Sequence, residues 1–152
     1  MARVGAAGKN GFVTQWQWSL MCDMVSETGL TFVYGLNARL GYNDSSVHAW
    51  DPSNAEKLIR FARSINCPVS GWELGNELNL KTKGFTPELN ANHTLQLSKL
   101  VENIYGAGSV GAGTPQSPWR IGPDATHSAL VPGGGVSDSD SDSESFMQLY
   151  YD

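Results

Sequence analysis

The sequence is poor in cysteine, in basic clusters and in long apolar runs, and each shortage excludes a class of protein. Two cysteines in 152 residues cannot form a disulfide framework. We expect Cys22 and Cys67 to be buried free thiols, with a bond between them as the alternative. No apolar run approaches the roughly 18 residues of a membrane-spanning helix. The start, "MARVGAAGKNGF", lacks the apolar core of a signal peptide. No basic stripe indicates a nucleic-acid partner.

Negative charge is concentrated in one tract of the chain. The net charge is −5, and "SDSDSDSES" contributes four carboxylates, those of Asp138, Asp140, Asp142 and Glu144. The remainder of the chain is therefore close to neutral. We expect residues from about 133 to 145 to form a solvated low-complexity loop. The hydrophobic share of 40% and charged share of 16% are typical of a globular domain.

Apolar periodicity predicts helices alternating with strands. The predicted helices cover residues 13–26, about 53–65, 95–105 and a segment from about 144, and the predicted strands cover 30–36, 69–75 and 119–123. In the first helix Trp16, Leu20 and Val25, with Met21 and Met24, fall on the expected apolar face. Ser53 and Glu56 are expected to form a capping box at the second helix. Residues 106–118 are rich in glycine and are expected to be a flexible connector.

This alternation predicts an α/β fold with a parallel sheet, because helices return the chain between parallel strands. An open doubly wound sheet and a closed (β/α)8 barrel both fit the pattern. In either fold, functional side chains gather where the strands end. Three segments qualify: "GLNARL", "GNELN" and "GPD". Glu77 lies in the second, directly after Asn76, and the alternative for it is a surface carboxylate.

The segments around these strand ends resemble a known family when they are taken as a series. "GWELGNELN" is similar to the acid/base motif of clan A glycoside hydrolases, in which an Asn-Glu pair ends the fourth barrel strand. Together with "TGLTFVYGLNARL", "WDPSNAEKLIRFARS" and "IGPD", it resembles family 79, the heparanase-like endo-β-glucuronidases. The resemblance implies a (β/α)8 barrel, with the third to fifth strands present. Residues 1–152 are then expected to be an incomplete barrel domain.

The resemblance implies a role for three residues. Glu77 is the expected general acid/base, and Asn76 is expected to bind the 2-hydroxyl of the sugar at the cleaved linkage. Asn37 is expected to line the cleft. The chemistry needs a proton donor because glycoside cleavage passes through an oxocarbenium-like transition state with a poor leaving group. The implied substrate is an acidic polysaccharide or glucuronide, without a cofactor or metal.

No nucleophile is assigned in this chain. A retaining glycosidase needs two carboxyl groups about 5–5.5 Å apart. Glu73 precedes Glu77 by four residues, which is about 13 Å of extended chain, so Glu73 is not expected to serve. The resembled family takes its nucleophile from the seventh strand. We therefore expect the chain to be inactive alone, with the missing remainder of the barrel as a partner. The alternative is a non-catalytic glycan-binding or partner-dependent fragment.

Further candidate residues follow from the acidic substrate and from the cellular location that the resemblance implies. Lys81 and Lys83 follow the Asn-Glu pair, and with Arg39 they are candidates for binding carboxylate or sulfate groups. Asn43 and Asn92 begin glycosylation sequons. The resemblance implies a secreted, lysosomal or membrane-associated protein.

Overall fold

The computed structural model describes residues 2–6, 9–39, 49–78, 85–108 and 111–122. The elements in chain order are β1 (Ala2–Ala6), β2 (Lys9–Val13), α1 (Gln15–Thr28), β3 (Phe32–Leu36), α2 (Ser53–Ser64), β4 (Val69–Leu74), α3 (Pro87–Tyr105) and β5 (Trp119–Ile121). None of the helices in these ranges is both long and apolar enough to cross a membrane. The predicted loop at 133–145 and the predicted helix near 144 lie outside them.

The central sheet has three parallel strands in the order β3-β4-β5. Helix α2 connects the first two strands, and α3 connects the last two. These are two consecutive βαβ units, the repeat from which parallel barrels are built. The prediction of an α/β fold with parallel strands is confirmed, as a partial (β/α)8 arrangement.

The two faces of this sheet have different surroundings. Trp18 of α1 packs on the helix-covered face, against Phe32, Tyr34 and Trp72, with ring centroids 4.7–6.1 Å apart. Alternate residues of a strand point to opposite faces, and Val33 of β3 is accordingly exposed on the other side. We call this second side the open face.

Two cysteines link α1 to the entry of β4. The sulfurs of Cys22 and Cys67 are bonded, and their Cα atoms lie 5.1 Å apart. The expectation of two free thiols was therefore wrong. Cys22 lies on the buried side of α1, and Cys67 lies where the chain turns from α2 into β4. Closing a 45-residue loop stabilises the fold by roughly 3–4 kcal/mol in the chain-entropy account.

Helix α1 packs through a face that matches the predicted one only in part. Its buried residues are Trp18, Cys22 and Val25, while Trp16 and Leu20 are exposed. Positions 16, 20 and 24 and positions 18, 22 and 25 are both apolar at helical spacing, so the period alone does not choose between the two faces. The periodicity therefore predicted the helix correctly. It placed Val25 and Met21 on the inner face, as observed, but it wrongly placed Trp16, Leu20 and Met24 there.

The beginnings of the other two helices also differ from prediction. Ser53 is the first residue of α2 rather than its cap, and its backbone N–H donates to Asp51 Oδ1 at 2.9 Å. Glu56 forms an ion pair with Arg60 instead of a capping box. Helix α3 begins at 87 rather than 95, with Thr86 as its cap, because buried polar residues in its first half interrupt the apolar period.

Two short structures were not predicted. Strands β1 and β2 form an antiparallel hairpin in which Ala6 is opposite Lys9, and their glycines conceal the strand pattern. In the predicted connector, Thr114 and Ser117 exchange two backbone hydrogen bonds of 3.2 and 2.9 Å. That part of the connector is therefore a defined turn.

Candidate functional site

The candidate site lies where β3 and β4 end side by side. Leu36 is paired with Leu74 in the sheet register, and the backbone N–H of Gly75 donates to the carbonyl oxygen of Leu36 at 3.1 Å. The next residues, Asn37 on one strand and Asn76 on the other, therefore leave the sheet at the same edge. We call this the polar edge, comprising residues 37–39 and 75–78. Of the third predicted segment, "GPD", only Gly122 is among the described residues.

A backbone turn at the end of β4 sets the position of Glu77. Gly75 and Glu77 both have positive φ angles, 84° and 48°. A Cβ added to Gly75 would lie 2.7 Å from the side chain of Leu78, which is itself buried. Leu78 thus folds back beneath the turn. The left-handed conformation costs a residue with a Cβ roughly 1–2 kcal/mol, and such strain is found more often at functional positions than elsewhere.

Asn76 and Glu77 differ in exposure. The side chain of Asn76 is exposed, and that of Glu77 is half-buried. A hydrogen-bonding amide therefore lies next to a carboxyl group at the end of a parallel strand. This arrangement is suited to binding a hydroxyl group beside the atom that receives a proton.

Asn37 lies at the polar edge, but its side-chain oxygen has a structural role. Its Oδ1 accepts a hydrogen bond from the backbone N–H of Arg39 at 2.9 Å, which is the geometry of an Asx turn. Its backbone carbonyl accepts the indole N–H of Trp50 at 3.1 Å. Asn37 therefore shapes the turn after β3 through both oxygens.

Trp50 and His93 support this edge and were not identified from the sequence. The backbone N–H of Trp50 donates to His93 Nε2 at 3.0 Å, so this nitrogen carries no proton. Both residues are buried, His93 with 2% of its surface exposed, and burial lowers the pKa of its imidazole. The ring of Phe85 lies 5.9 Å away. Trp50 and His93 are 43 residues apart in the sequence, so no short motif predicts their contact.

Glu73 lies within β4, one layer below the polar edge. It is paired in register with Gly35 on one side and with Ile121 on the other, and it is half-buried. The distance of about 13 Å expected between Glu73 and Glu77 assumed a fully extended chain. Because β4 ends at Leu74, the chain is extended over only part of that path. Glu73 is given no catalytic role because it lies inside the sheet and not at the end of the strand.

The other candidates are not brought together at the edge. Lys81, Lys83 and Asn43 lie outside the described residues. Asn92 is exposed on α3, while the sequon's third residue, Thr94, is half-buried. A Cβ on Gly122 would lie 3.0 Å from the hydroxyl oxygen of Thr94, so the helix packs closely against the end of β5.

Three known proteins are similar to this chain over part of their length. It is 34% identical over 97 residues to Heparanase-like protein 3 of Arabidopsis thaliana, covering 59% of this chain and 18% of that protein. It is 33% identical over 108 residues to Baicalin-beta-D-glucuronidase of Scutellaria baicalensis, covering 59% and 20%. It is 42% identical over 60 residues to Heparanase of Bos taurus, covering 40% and 10%.

The chain thus spans about a fifth or less of the length of these relatives. Residues 7–127 match the N-terminal domain of glycosyl hydrolase family 79. This range includes all of the parallel sheet and the whole polar edge. The chain belongs to glycosyl hydrolase family 79.

Proposed function

We propose that this chain carries the acid/base part of a retaining glycosidase that acts on β-glucuronide linkages in acidic polysaccharides such as heparan-type glycans. One observation carries the proposal: the Asn76–Glu77 pair follows a parallel strand, on a strained turn, in a chain of family 79. Two of the relatives bear the names heparanase and glucuronidase, which supports the substrate class.

Glu77 has two successive roles in the proposed mechanism. Its carboxyl group first gives a proton to the oxygen of the departing sugar, and its carboxylate then takes a proton from the attacking water. Asn76 binds the 2-hydroxyl, where hydrogen bonds strengthen as the transition state forms. Asn37 contributes by holding the neighbouring turn, which is a positioning role.

The nucleophilic carboxylate is proposed to come from outside the residues of this chain. Residues 1–152 are accordingly proposed to be one part of a single barrel domain, inactive without the remainder. Lys81 and Lys83 are proposed to bind acidic groups of the substrate.

The second candidate is a glycan-binding or partner-dependent protein without catalysis. The open face favours it, because Val33 and Trp119 lie there with 37% and 39% of their surface exposed. Exposed apolar side chains on a sheet are commonly covered by another segment or chain. On this reading the polar edge binds saccharide, and Glu77 transfers no proton.

A secreted, lysosomal or membrane-associated location is proposed for the protein. The bond between Cys22 and Cys67 supports passage through an oxidising compartment. The sequons at Asn43 and Asn92 agree with that route and make these residues proposed glycosylation sites.

The test uses the chain together with a completed barrel. The purified chain, and the chain co-expressed with the remaining residues of the Arabidopsis relative, are incubated with a chromogenic β-glucuronide. We expect turnover only from the completed form, reduced at least about 100-fold by Glu77→Gln. Glu73→Gln is the matched control, on the strand that precedes Glu77, and it retains turnover.

Three results separate the candidates. Turnover that Glu77→Gln removes supports the glycosidase. Saccharide binding by the chain with no turnover in either form supports the second candidate. Turnover that persists in Glu77→Gln contradicts the assignment of the acid/base.

A further inference from the structure

The outward side of α1 carries an apolar stripe. Trp16, Leu20 and Met24 follow one another at intervals of four residues, so their side chains lie along one side of the helix. Their exposed fractions are 70%, 47% and 52%, while the buried residues of α1 lie on its opposite side. We call these three residues the outer stripe. Exposed apolar side chains that adjoin one another mark a surface that another chain covers.

Charge is distributed unevenly along the same helix. The first turn of α1 has no acidic residue and its last turn has no basic residue, so no side chain there offsets the partial charges of the helix ends. Asp23 and Glu27 are exposed in its second half. Glu27 follows Leu20 by seven residues and therefore lies on the same side. The outward side of α1 is thus apolar near the positive end of the helix and acidic near the negative end.

A second copy of α1 is complementary to this side when it runs in the opposite direction. With Leu20 opposite its own counterpart, each Trp16 lies opposite the partner's Met24, because both are four residues from Leu20. Each Glu27 then lies near the partner's first turn, where a negative charge is favourable. In a parallel pair each acidic side chain would instead lie beside its own counterpart, which is unfavourable.

We propose that two copies of the chain associate through the outer stripe, with their α1 helices antiparallel and Leu20 on the two-fold axis. A two-fold contact of one surface with itself is the commonest form of association between identical chains. This proposal goes beyond the proposed function, since it involves no residue of the polar edge. Three side chains from each copy form an interface smaller than the roughly 800 Å² per partner of a stable complex. The association is therefore weak and depends on concentration.

Sedimentation equilibrium of the whole chain, from about 10 µM to about 1 mM, measures this association. We expect a monomer–dimer equilibrium with its midpoint in that range. Leu20→Glu places two carboxylates together on the axis, and we expect it to weaken the dimer at least about tenfold. Leu95→Glu is the matched control on α3, where Leu95 is 58% exposed. It should change the dissociation constant by less than about twofold.

Two further variants test the orientation of the helices. Glu27→Lys reverses the charge near the partner's first turn, and we expect the dimer to weaken about threefold. Leu20→Cys brings two thiols together on the axis, and we expect a disulfide-linked dimer when the chain is incubated with oxidised glutathione. Leu95→Cys should stay monomeric under the same conditions. Far-ultraviolet circular dichroism checks that each variant is folded.

Several results would overturn the proposal. A chain that stays monomeric up to about 1 mM has no such contact. A dimer that Leu20→Glu leaves intact, or that Trp119→Glu weakens in its place, associates through another surface. A dimer that Glu27→Lys strengthens is not antiparallel. These measurements detect no turnover and no saccharide binding, so failure of this proposal and failure of the proposed function are distinguishable.

Discussion

The two faces of the parallel sheet differ in how much of their aromatic surface is buried. On the helix-covered face, Trp72 is fully buried and stacks on Trp18, with the ring centroids 6.1 Å apart and the planes within 11°. On the open face, Trp119 keeps 39% of its surface exposed. Aromatic burial therefore stabilises one side of the sheet, while on the other side Val33 and Trp119 stay partly exposed, although the Trp119 ring packs against Gly113. Most of the stability of the sheet therefore comes from its helix-covered face.

The largest expected effect comes from removing the central aromatic side chain of the covered face. Trp72→Ala should lower the free energy of unfolding by roughly 3–5 kcal/mol, because it leaves a large cavity beneath α1. The matched variant on the open face, Trp119→Ala, should cost about 1 kcal/mol, since less area is returned to water. Urea unfolding followed by far-ultraviolet circular dichroism measures both. Equal losses of unfolding free energy in the two variants would mean that the two faces contribute equally to stability.

The next effect tests whether the covered face depends on its cross-link. Replacing Cys22 and Cys67 together by alanine should lower the free energy of unfolding by roughly 3–4 kcal/mol, because the unfolded chain regains the freedom of the closed loop. Dithiothreitol should reproduce this loss in the parent chain and change nothing in the double variant. A parent chain whose melting temperature is insensitive to dithiothreitol contradicts the prediction.

A smaller effect contrasts two glycines, one at the polar edge and one on the open face. Gly75→Ala should cost about 2 kcal/mol, since its φ is positive and a Cβ there meets Leu78. Gly35→Ala should change stability by less than about 0.5 kcal/mol, because among the described residues no atom beyond its chain neighbours lies within 4 Å of the added carbon. Thermal unfolding of the two variants side by side measures the difference. A larger loss of stability in Gly35→Ala than in Gly75→Ala would show that the turn at Gly75 adjusts to the added carbon without cost.

The smallest effect concerns pH and the buried support of the polar edge. Burial lowers the pKa of His93, so its contribution is fully present above the unfolded-state pKa of about 6.5. It falls as the pH drops below that value, because the unfolded chain then binds a proton that the buried imidazole resists. The loss is at most about 1.4 kcal/mol per pH unit.

His93→Phe removes this contribution and keeps an aromatic ring in the site. Unfolding free energies at pH 7.5, 6.5 and 5.5 should therefore converge for the parent chain and the variant as the pH falls. Parallel profiles over this range would show that His93 is protonated as easily in the folded chain as in the unfolded chain.

The elements that sequence reasoning found are those whose signal is local. Strands β3 and β4 are short apolar runs between turn residues, and α2 has an apolar stripe at helical spacing, so each could be placed within a few residues. The start of α3 could not, because Asn90 and His93 are buried polar residues. Their burial depends on partners distant in the sequence.

The candidate site was predictable only in part for the same reason. Asn76 and Glu77 were identified because they follow a recognisable strand in a family motif, and the structure places them with Asn37 at one edge. The contact of Trp50 with His93 joins positions 43 residues apart. The bond between Cys22 and Cys67 spans 45 residues. Such pairings arise from the folded topology, and the spacing of the residues in the sequence does not predict them.

Strand β4 is fastened at both of its ends. Cys67 secures its entry to α1, and the hydrogen bond from Gly75 to Leu36 secures its exit to β3. Six residues of paired strand bend little over that distance. The position of Glu77, three residues beyond the end of β4, therefore depends on the packing of α1 as well as on the pairing of the sheet. Helix α1 thus helps to set where the Glu77 carboxyl group lies.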